Sequence, residues 1–216
     1  MVSLTAEQKT NYAGFPKPGE LIEMTGTHAL EASDRAILNL LYEHAHDSGR
    51  LLEPEAEWEM PLSTLRQAVS KHENNSRLRE SLKRLKTIPV TIGYVNEEGE
   101  PRLVITGLFD FLDVPAKELA SRGPLRYGLP RKLVPVLARS GRWGRIKAEI
   151  VCSMTSKYAI ALYELIQLRA SMHKCVETFP IDRFRELLGV PDDAYASSPW
   201  RKWVCSCRDQ SRREPA

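Results

Sequence analysis

The stretch Met60–Thr106, MPLSTLRQAVSKHENNSRLRESLKRLKTIPVTIGYVNEEGEPRLVIT, decides the fold of this chain. Leu65 and Val69 recur at helical spacing after Pro61, and the Ser63 hydroxyl is suited to cap a first helix there. After the polar break Lys71–Asn75, Leu78, Leu82 and Leu85 fall at i, i+4 and i+7, which makes one apolar face of a second helix. Its other faces carry Arg77, Arg79, Lys83, Arg84 and Lys86 against a single acid, Glu80. Val90–Thr91–Ile92 and Leu103–Val104–Ile105 then flank the polar turn Asn96–Glu97–Glu98–Gly99, the pattern of a β-hairpin with a longer loop. Helix, helix, hairpin is the order of a winged helix, whose second helix lies in a DNA major groove. A basic helix face is also what an ordinary solvated surface looks like, and charge patterning alone does not separate the two.

The composition around this stretch permits nucleic acid without demanding it. A chain of 216 residues, 42% hydrophobic, holds one large domain or two small ones, and its formal net charge is only +3. No apolar run reaches the ~18 residues of a membrane span. The first twenty residues lack the apolar core of a signal peptide, so a cytoplasmic protein is expected. Four cysteines form no CxxC pair, which points to reduced thiols. His173 with Cys175 and Cys205 with Cys207 lack the usual zinc spacings, so no metal site and no cofactor are expected.

Upstream, Leu30–Asp47 reads as a long amphipathic helix. Ala36, Ile37, Leu40, Leu41 and Ala45 form its apolar face, Ser33 or Asp34 can cap it, and Gly49 can end it. His44 and His46 fall at its end, where exposure is expected. The acidic residues 51–59 suggest a short strand around Trp58. Residues 1–19 read as a flexible polar arm.

Downstream, residues 107–115 run out of the hairpin and residues 116–123 form a connection. Leu125, Tyr127 and Leu129 alternate like a strand. A short helix pattern follows over Pro130–Arg139, with Leu133, Val134 and Leu137 inward, and then the Gly-rich basic segment Gly141–Arg145. A domain boundary is placed near Arg145.

Beyond it, residues 148–154 are short and apolar. Ser156–Ser171 reads as a long helix with Tyr158, Ala159, Leu162, Tyr163, Ile166 and Leu165 on its apolar face. His173–Phe179 suggests a strand. Ile181–Leu188 reads as a short helix capped by Asp182 and stopped by Gly189 and Pro191. Trp200, Trp203, Val204 and Cys207 repeat at helical spacing once more.

The two halves match in type. Met60–Pro–Leu–Ser–Thr–Leu–Arg66 corresponds to Phe179–Pro–Ile–Asp–Arg–Phe–Arg185 at every position except the exposed fifth. Two copies of one supersecondary unit follow, the second without a hairpin. The expected class is therefore α+β, with two tandem winged helices. The expected division is an arm at 1–19, a first unit at 20–145, an incomplete second unit at 146–207 and a disordered tail at 208–216.

The segment Ser156–Lys–Tyr–Ala–Ile–Ala–Leu–Tyr–Glu–Leu–Ile166, followed by Phe184–Arg–Glu–Leu–Leu–Gly–Val190 and Tyr195, resembles the iteron-binding replication initiators of theta-replicating plasmids. Tyr127–Gly–Leu–Pro130, Leu133–Leu137 and Trp143–Gly–Arg145 are similar to the end of that family's N-terminal unit. The resemblance spans roughly residues 29–204. It implies binding to repeated origin sites in double-stranded DNA, strand opening, and recruitment of host helicase and primase. It also implies a homodimer in equilibrium with monomer, formed through the first unit, with dimers repressing and monomers initiating.

The family's main base-reading helix would begin here near Ser198 and include Arg201 and Lys202. The sequence departs from the family pattern after Val204, where a truncated end is expected. The residues expected at DNA are Arg77, Arg79, Lys83, Arg84 and Lys86, then Arg142, Arg145, Lys157 and Arg183, with Arg201 and Lys202.

Two rival readings share some of these residues. A metal-dependent nicking initiator needs a His-x-His pair and a nucleophilic tyrosine, which His44–Ala–His46 with Tyr158 and Tyr163 superficially supply. Histidines one residue apart face one side only on a strand, and these sit on a helix. The tyrosines lie among apolar residues at core spacing. No GxxxxGK[ST] loop is present, so ATP-driven unwinding is assigned to a partner and the chain to a non-enzyme. A winged-helix transcriptional regulator shares every local feature of Met60–Thr106 and lacks only a reason for the second copy.

Overall fold

The computed structural model describes residues 4–53, 55–69, 75–115, 123–170 and 175–191. In chain order the first half contains β1 (Phe15–Pro18), α1 (Gly19–Ile22), α2 (Ala32–Asp47), β2 (Glu57–Pro61), α3 (Leu62–Val69) and α4 (Asn75–Thr87). The hairpin strands β3 (Val90–Val95) and β4 (Pro101–Thr106) come next, then β5 (Phe111–Asp113), β6 (Pro124–Gly128) and α5 (Leu133–Ala138). The described part ends with β7 (Trp143–Ile146), α6 (Ala148–Ser153), α7 (Lys157–Ala170) and α8 (Ile181–Leu188). The class is α+β, as expected of a winged helix, and every strand pair among the described residues is antiparallel.

Helix α2 is the centre. Ala36, Ile37, Leu38, Leu41, Tyr42 and Ala45 are all buried, and α3, α4, α6 and α7 pack around them. The helix starts at Ala32 because Glu31 and Asp34 form a capping box: the Glu31 amide donates to Asp34 Oδ2 at 2.8 Å. Asp34 is thus the third helical residue, not the cap that the sequence suggests. Likewise Ser63 lies inside α3, because β2 runs directly into that helix.

The leucine face of α4 is as read: Leu78, Leu82 and Leu85 are 2%, 5% and 0% exposed. Strands β3 and β4 pair antiparallel from Val90↔Thr106 to Val95↔Pro101. Their turn closes with Gly99 at φ +82°, a conformation open to glycine, and with the Glu100 amide donating to Asn96 Oδ1 at 2.7 Å.

Residues 107–115 do not simply prolong β4. They turn back so that β5 joins a three-stranded antiparallel sheet in the order β2–β6–β5. Tyr127 on β6 is completely buried, stacked at 5.7 Å on Trp58 and edge-on at 5.9 Å to Phe109. Its hydroxyl donates to the Leu41 carbonyl at 2.7 Å.

Further expectations need correction. Residues 4–19 are not a free arm, for β1 pairs antiparallel with β7 from Phe15↔Ile146 to Pro18↔Trp143 and buries Phe15 and Lys17. The boundary near Arg145 is likewise absent, because that residue sits inside β7 and α7 packs directly on this strand. Gly144 permits the approach: an added Cβ would lie 2.8 Å from the Leu168 backbone nitrogen.

His44 and His46 are not exposed ends. His44 Nδ1 lies 2.8 Å from the Tyr127 hydroxyl, and buried His46 Nε2 lies 3.1 Å from the Thr5 carbonyl. Finally, Cys175–Pro180 forms no strand, and α8 is preceded by Pro180 with Asp182 in its first turn. The expected helix at Trp200–Cys207 and the expected tail at 208–216 lie outside the described residues.

Helix α7 is turned about its axis relative to the expected packing. Ile160, Ala161, Leu165 and Leu168 face the core, while Tyr158, Leu162 and Ile166 are 40%, 41% and 55% exposed. Glu164 is buried in their place. Its Oε1 accepts from Lys17 Nζ at 2.6 Å and from Asn39 Nδ2 at 2.8 Å. Lys17 Nζ also donates to Asn39 Oδ1 at 3.1 Å, and Arg35 donates to Thr27 Oγ1 at 2.9 Å. This polar knot joins β1, α2 and α7 into one core, with burial driving the Lys17 ammonium below its usual range.

Candidate nucleic-acid interface

The sequence groups five basic residues on α4, and the structure sorts them into two edges. Leu78, Ser81, Leu82 and Leu85 are buried, so the helix presents Arg79, Lys83 and Lys86 on one side of that face. Arg77, Glu80 and Arg84 lie on the other side, against the start of α2.

The second edge is largely closed. Arg84 Nε meets Asp34 Oδ2 at 2.7 Å and its Nη2 meets Asp34 Oδ1 at 3.0 Å, a bidentate pair with a fully buried carboxylate. Glu31 approaches Arg84 Nη2 at 3.2 Å as well. Arg84 is therefore a bolt between α4 and α2. Arg77 is exposed beside it.

The first edge is open. Arg79 and Lys83 are exposed and form no ion pair among the described residues. Lys86 Nζ makes one long hydrogen bond, 3.4 Å to the Phe109 carbonyl. Three cations at i, i+4 and i+7 thus point away from the core on the helix that follows α3 in a helix-turn-helix order. A row of this kind has the charge and exposure that phosphate neutralisation needs.

The remaining expected residues are placed elsewhere, and several are engaged internally. Arg145 donates from Nη1 to the Lys9 carbonyl at 2.6 Å and to the Gly14 carbonyl at 3.3 Å, and it stacks on Trp143. It holds the 8–14 turn to β7. Arg142 and Arg169 share Glu23, at 2.7 Å and 2.5 Å. Lys157 Nζ donates to the His28 carbonyl at 2.5 Å and lies over the Tyr158 ring. Arg183 makes an exposed i,i+3 pair with Glu186 at 3.1 Å. None of Arg142, Arg145, Lys157 and Arg183 joins the open row of α4, and Arg201 and Lys202 lie outside the described residues.

The hairpin, which in a winged helix flanks the DNA, carries the opposite charge at its tip. Glu97, Glu98 and Glu100 cluster there, with Arg102 held by Glu100 at 2.7 Å and Glu97 ion-paired to Arg139 beyond α5. Its outward face is apolar: Val95, Leu103 and Ile105 are 66%, 75% and 74% exposed. The open edge of β4 has no partner strand among the described residues, while β3 makes an isolated bridge to Thr25 through Thr91.

The residues of the nicking constellation are separated by their hydrogen bonds. His44 turns to Tyr127, and His46 to Thr5 and Asp47. The Tyr163 hydroxyl accepts from the Lys147 amide at 3.2 Å. Tyr158 is not core but half-exposed, which corrects the expectation that both tyrosines are buried. The Cys152 thiol is pushed up to about 11 by burial and by the nearby Glu43 carboxylate, leaving it protonated near neutrality.

Among the described residues no helix is long and apolar enough to cross a membrane. Comparison with known proteins supplies the family. Residues 17–167 match the model of the family described as "Initiator Replication protein, WH1". No curated protein matches the chain. Among solved structures it is similar to the WH1 domain of MSBI1.176, a replication protein isolated from a multiple sclerosis patient. That likeness is at 14% identity and TM-score 0.39, over 62% of this chain and 93% of that one. The family match begins at the buried Lys17 and ends inside α7, so it covers the knot of Lys17, Asn39 and Glu164 as well as the helix-turn-helix and hairpin. The chain belongs to the plasmid replication initiator family and carries its WH1 domain.

Proposed function

We propose that this protein initiates plasmid replication by binding repeated origin sites in double-stranded DNA, with α4 as the DNA-contacting helix of its WH1 domain. The observation that carries the reading is the open row Arg79, Lys83 and Lys86, aligned on one edge of a helix whose other polar edge is pinned to α2 at Arg84 by ion pairs. Lys and Arg there neutralise phosphates, and an Arg can also pair with guanine O6 and N7. The protein itself performs no chemistry: it holds DNA while host helicase and primase are recruited to the opened origin. It acts in the cytoplasm.

Dimerisation belongs to the same proposal. The outward face of the hairpin (Val95, Leu103, Ile105) and the free edge of β4 are suited to pair with a second copy, in equilibrium with a monomer. The exposed stripe Tyr158, Leu162 and Ile166 supports the reading that a second winged-helix unit builds on the outer face of α7, whose inner face belongs to the first core. A transcriptional regulator would use α4 in the same way, but it gives no account of the family match through α7.

The test is replication itself. A plasmid carrying the cognate repeats but no initiator should transform cells that supply this protein and fail in cells that supply Arg79→Ala/Lys83→Ala. Equal transformation by both, at equal protein levels, would overturn the role of α4.

A further inference from the structure

Beside the basic row of α4 lies a feature that phosphate binding does not use. Arg79, Lys83, Lys86 and Thr87 form one wall of a trough of about 390 Å³, and Leu112, Val114 and Pro115 form the other. Leu82 lies beneath, 5% exposed. Leu112 and Val114 are half-buried and pack against the core, so the apolar wall is held in place by the β2–β6–β5 sheet. The volume is at the low end of ligand sites, ~300–1,000 Å³, and accommodates a small number of side chains.

A sugar-phosphate backbone gains from the cations and brings nothing to fill an apolar floor. A carboxylate-bearing segment with apolar side chains gains from both. We propose that the α4–β5 trough is a docking site for an acidic amphipathic peptide segment of a partner protein. Charge complementarity names the occupant: the cations recur at i, i+4 and i+7 along α4, and glutamates at helical spacing on a partner recur at the same interval. Leucine-type side chains between the glutamates fill the floor over Leu82, Leu112 and Val114, the arrangement by which an amphipathic helix lies in a groove. The site stands on these walls alone and does not depend on α4 also touching DNA.

The experiment uses the full chain and two labelled synthetic peptides. One has glutamates and leucines at helical spacing; in the other every leucine is serine. Fluorescence anisotropy at matched salt should show the leucine peptide binding about tenfold more tightly, as expected for burying apolar side chains. Lys83→Gln should weaken both peptides. Val114→Thr, which keeps the shape of the wall and adds a hydroxyl, should weaken the leucine peptide about fivefold and leave binding to duplex DNA unchanged. Because the comparison between peptides uses the unaltered protein, it holds whether or not the Val114 variant folds. Equal affinity for the two peptides would overturn the proposal by showing a surface that responds to charge alone. So would a Val114→Thr variant that melts like the parent protein and loses duplex and peptide binding by the same factor, since the trough would then belong to DNA.

Discussion

Arg84 completes the charge of Asp34, which is wholly buried and also belongs to the capping box of α2. Arg84→Ala removes both halves of a bidentate bond, and urea melts should show a loss of about 1–3 kcal/mol. On the same helix, Arg79→Ala or Lys83→Ala should leave the melt unchanged within ~0.5 kcal/mol, since both side chains are exposed. Glu164 is the strongest case of a buried charge. Glu164→Ala leaves the Lys17 ammonium and the Arg35 guanidinium without their common carboxylate, and breaking such a pair from one side costs about 3–5 kcal/mol. Neither the Arg84 bolt nor the Glu164 knot is legible in the sequence. Lys17 and Glu164 lie 147 positions apart, and a lone acid in an apolar helix reads as an exposed residue.

Glu43 sets a pH dependence at the same scale. Burial, and then the carboxylates of Asp47 and Glu149, push it up to about 7 from an ordinary value near 4.5. The folded protein therefore holds this proton more tightly than the unfolded chain. Stability from this group is fully present below 4.5, falls as pH rises through about 7, and is level above that. Glu43→Gln should flatten that segment of the stability profile in thermal melts; an unchanged slope would assign it to other groups.

Elements are legible where one period dominates. The leucines of α4 at i, i+4 and i+7 and the alternation through Tyr127 locate a helix and a strand correctly, because each has a polar side to contrast with the buried one. Helix α7 lacks that contrast. It carries apolar residues at Ile160, Leu165 and Leu168 and also at Tyr158, Leu162 and Ile166, so periodicity cannot choose which stripe faces inward. Strand β1 is hidden because Phe15–Pro–Lys–Pro18 neither alternates nor offers full donors; with two prolines it can serve only where few ladder bonds are needed, and it pairs with β7 alone.

The hairpin is legible too, and its charge has a consequence at this scale. Three glutamates at the tip would repel any phosphate brought near them. Glu97→Lys/Glu98→Lys should raise affinity for non-specific duplex and steepen its salt dependence in proportion to the phosphates newly neutralised. No change in either would mean that the tip stands clear of the DNA.

For the whole molecule, the described chain is built around α2, with the N-terminal strand and α7 locked to each other through Lys17, Asn39 and Glu164. The division expected at Arg145 fails for this reason: the core runs through β7 into α7, as does the family match over residues 17–167. What the molecule shows outward is a row of open cations on α4, an acidic hairpin tip and an apolar hairpin face. Of these, the cation row is the centre of the functional account. The direct measurement is the dependence of duplex affinity on salt for the full chain and for Arg79→Ala/Lys83→Ala. If both side chains neutralise phosphates, log K falls less steeply with log salt in the variant, its slope shallower by about 0.9 for each phosphate no longer neutralised. An unchanged slope and affinity would contradict the account and leave the basic face of α4 as solvated surface.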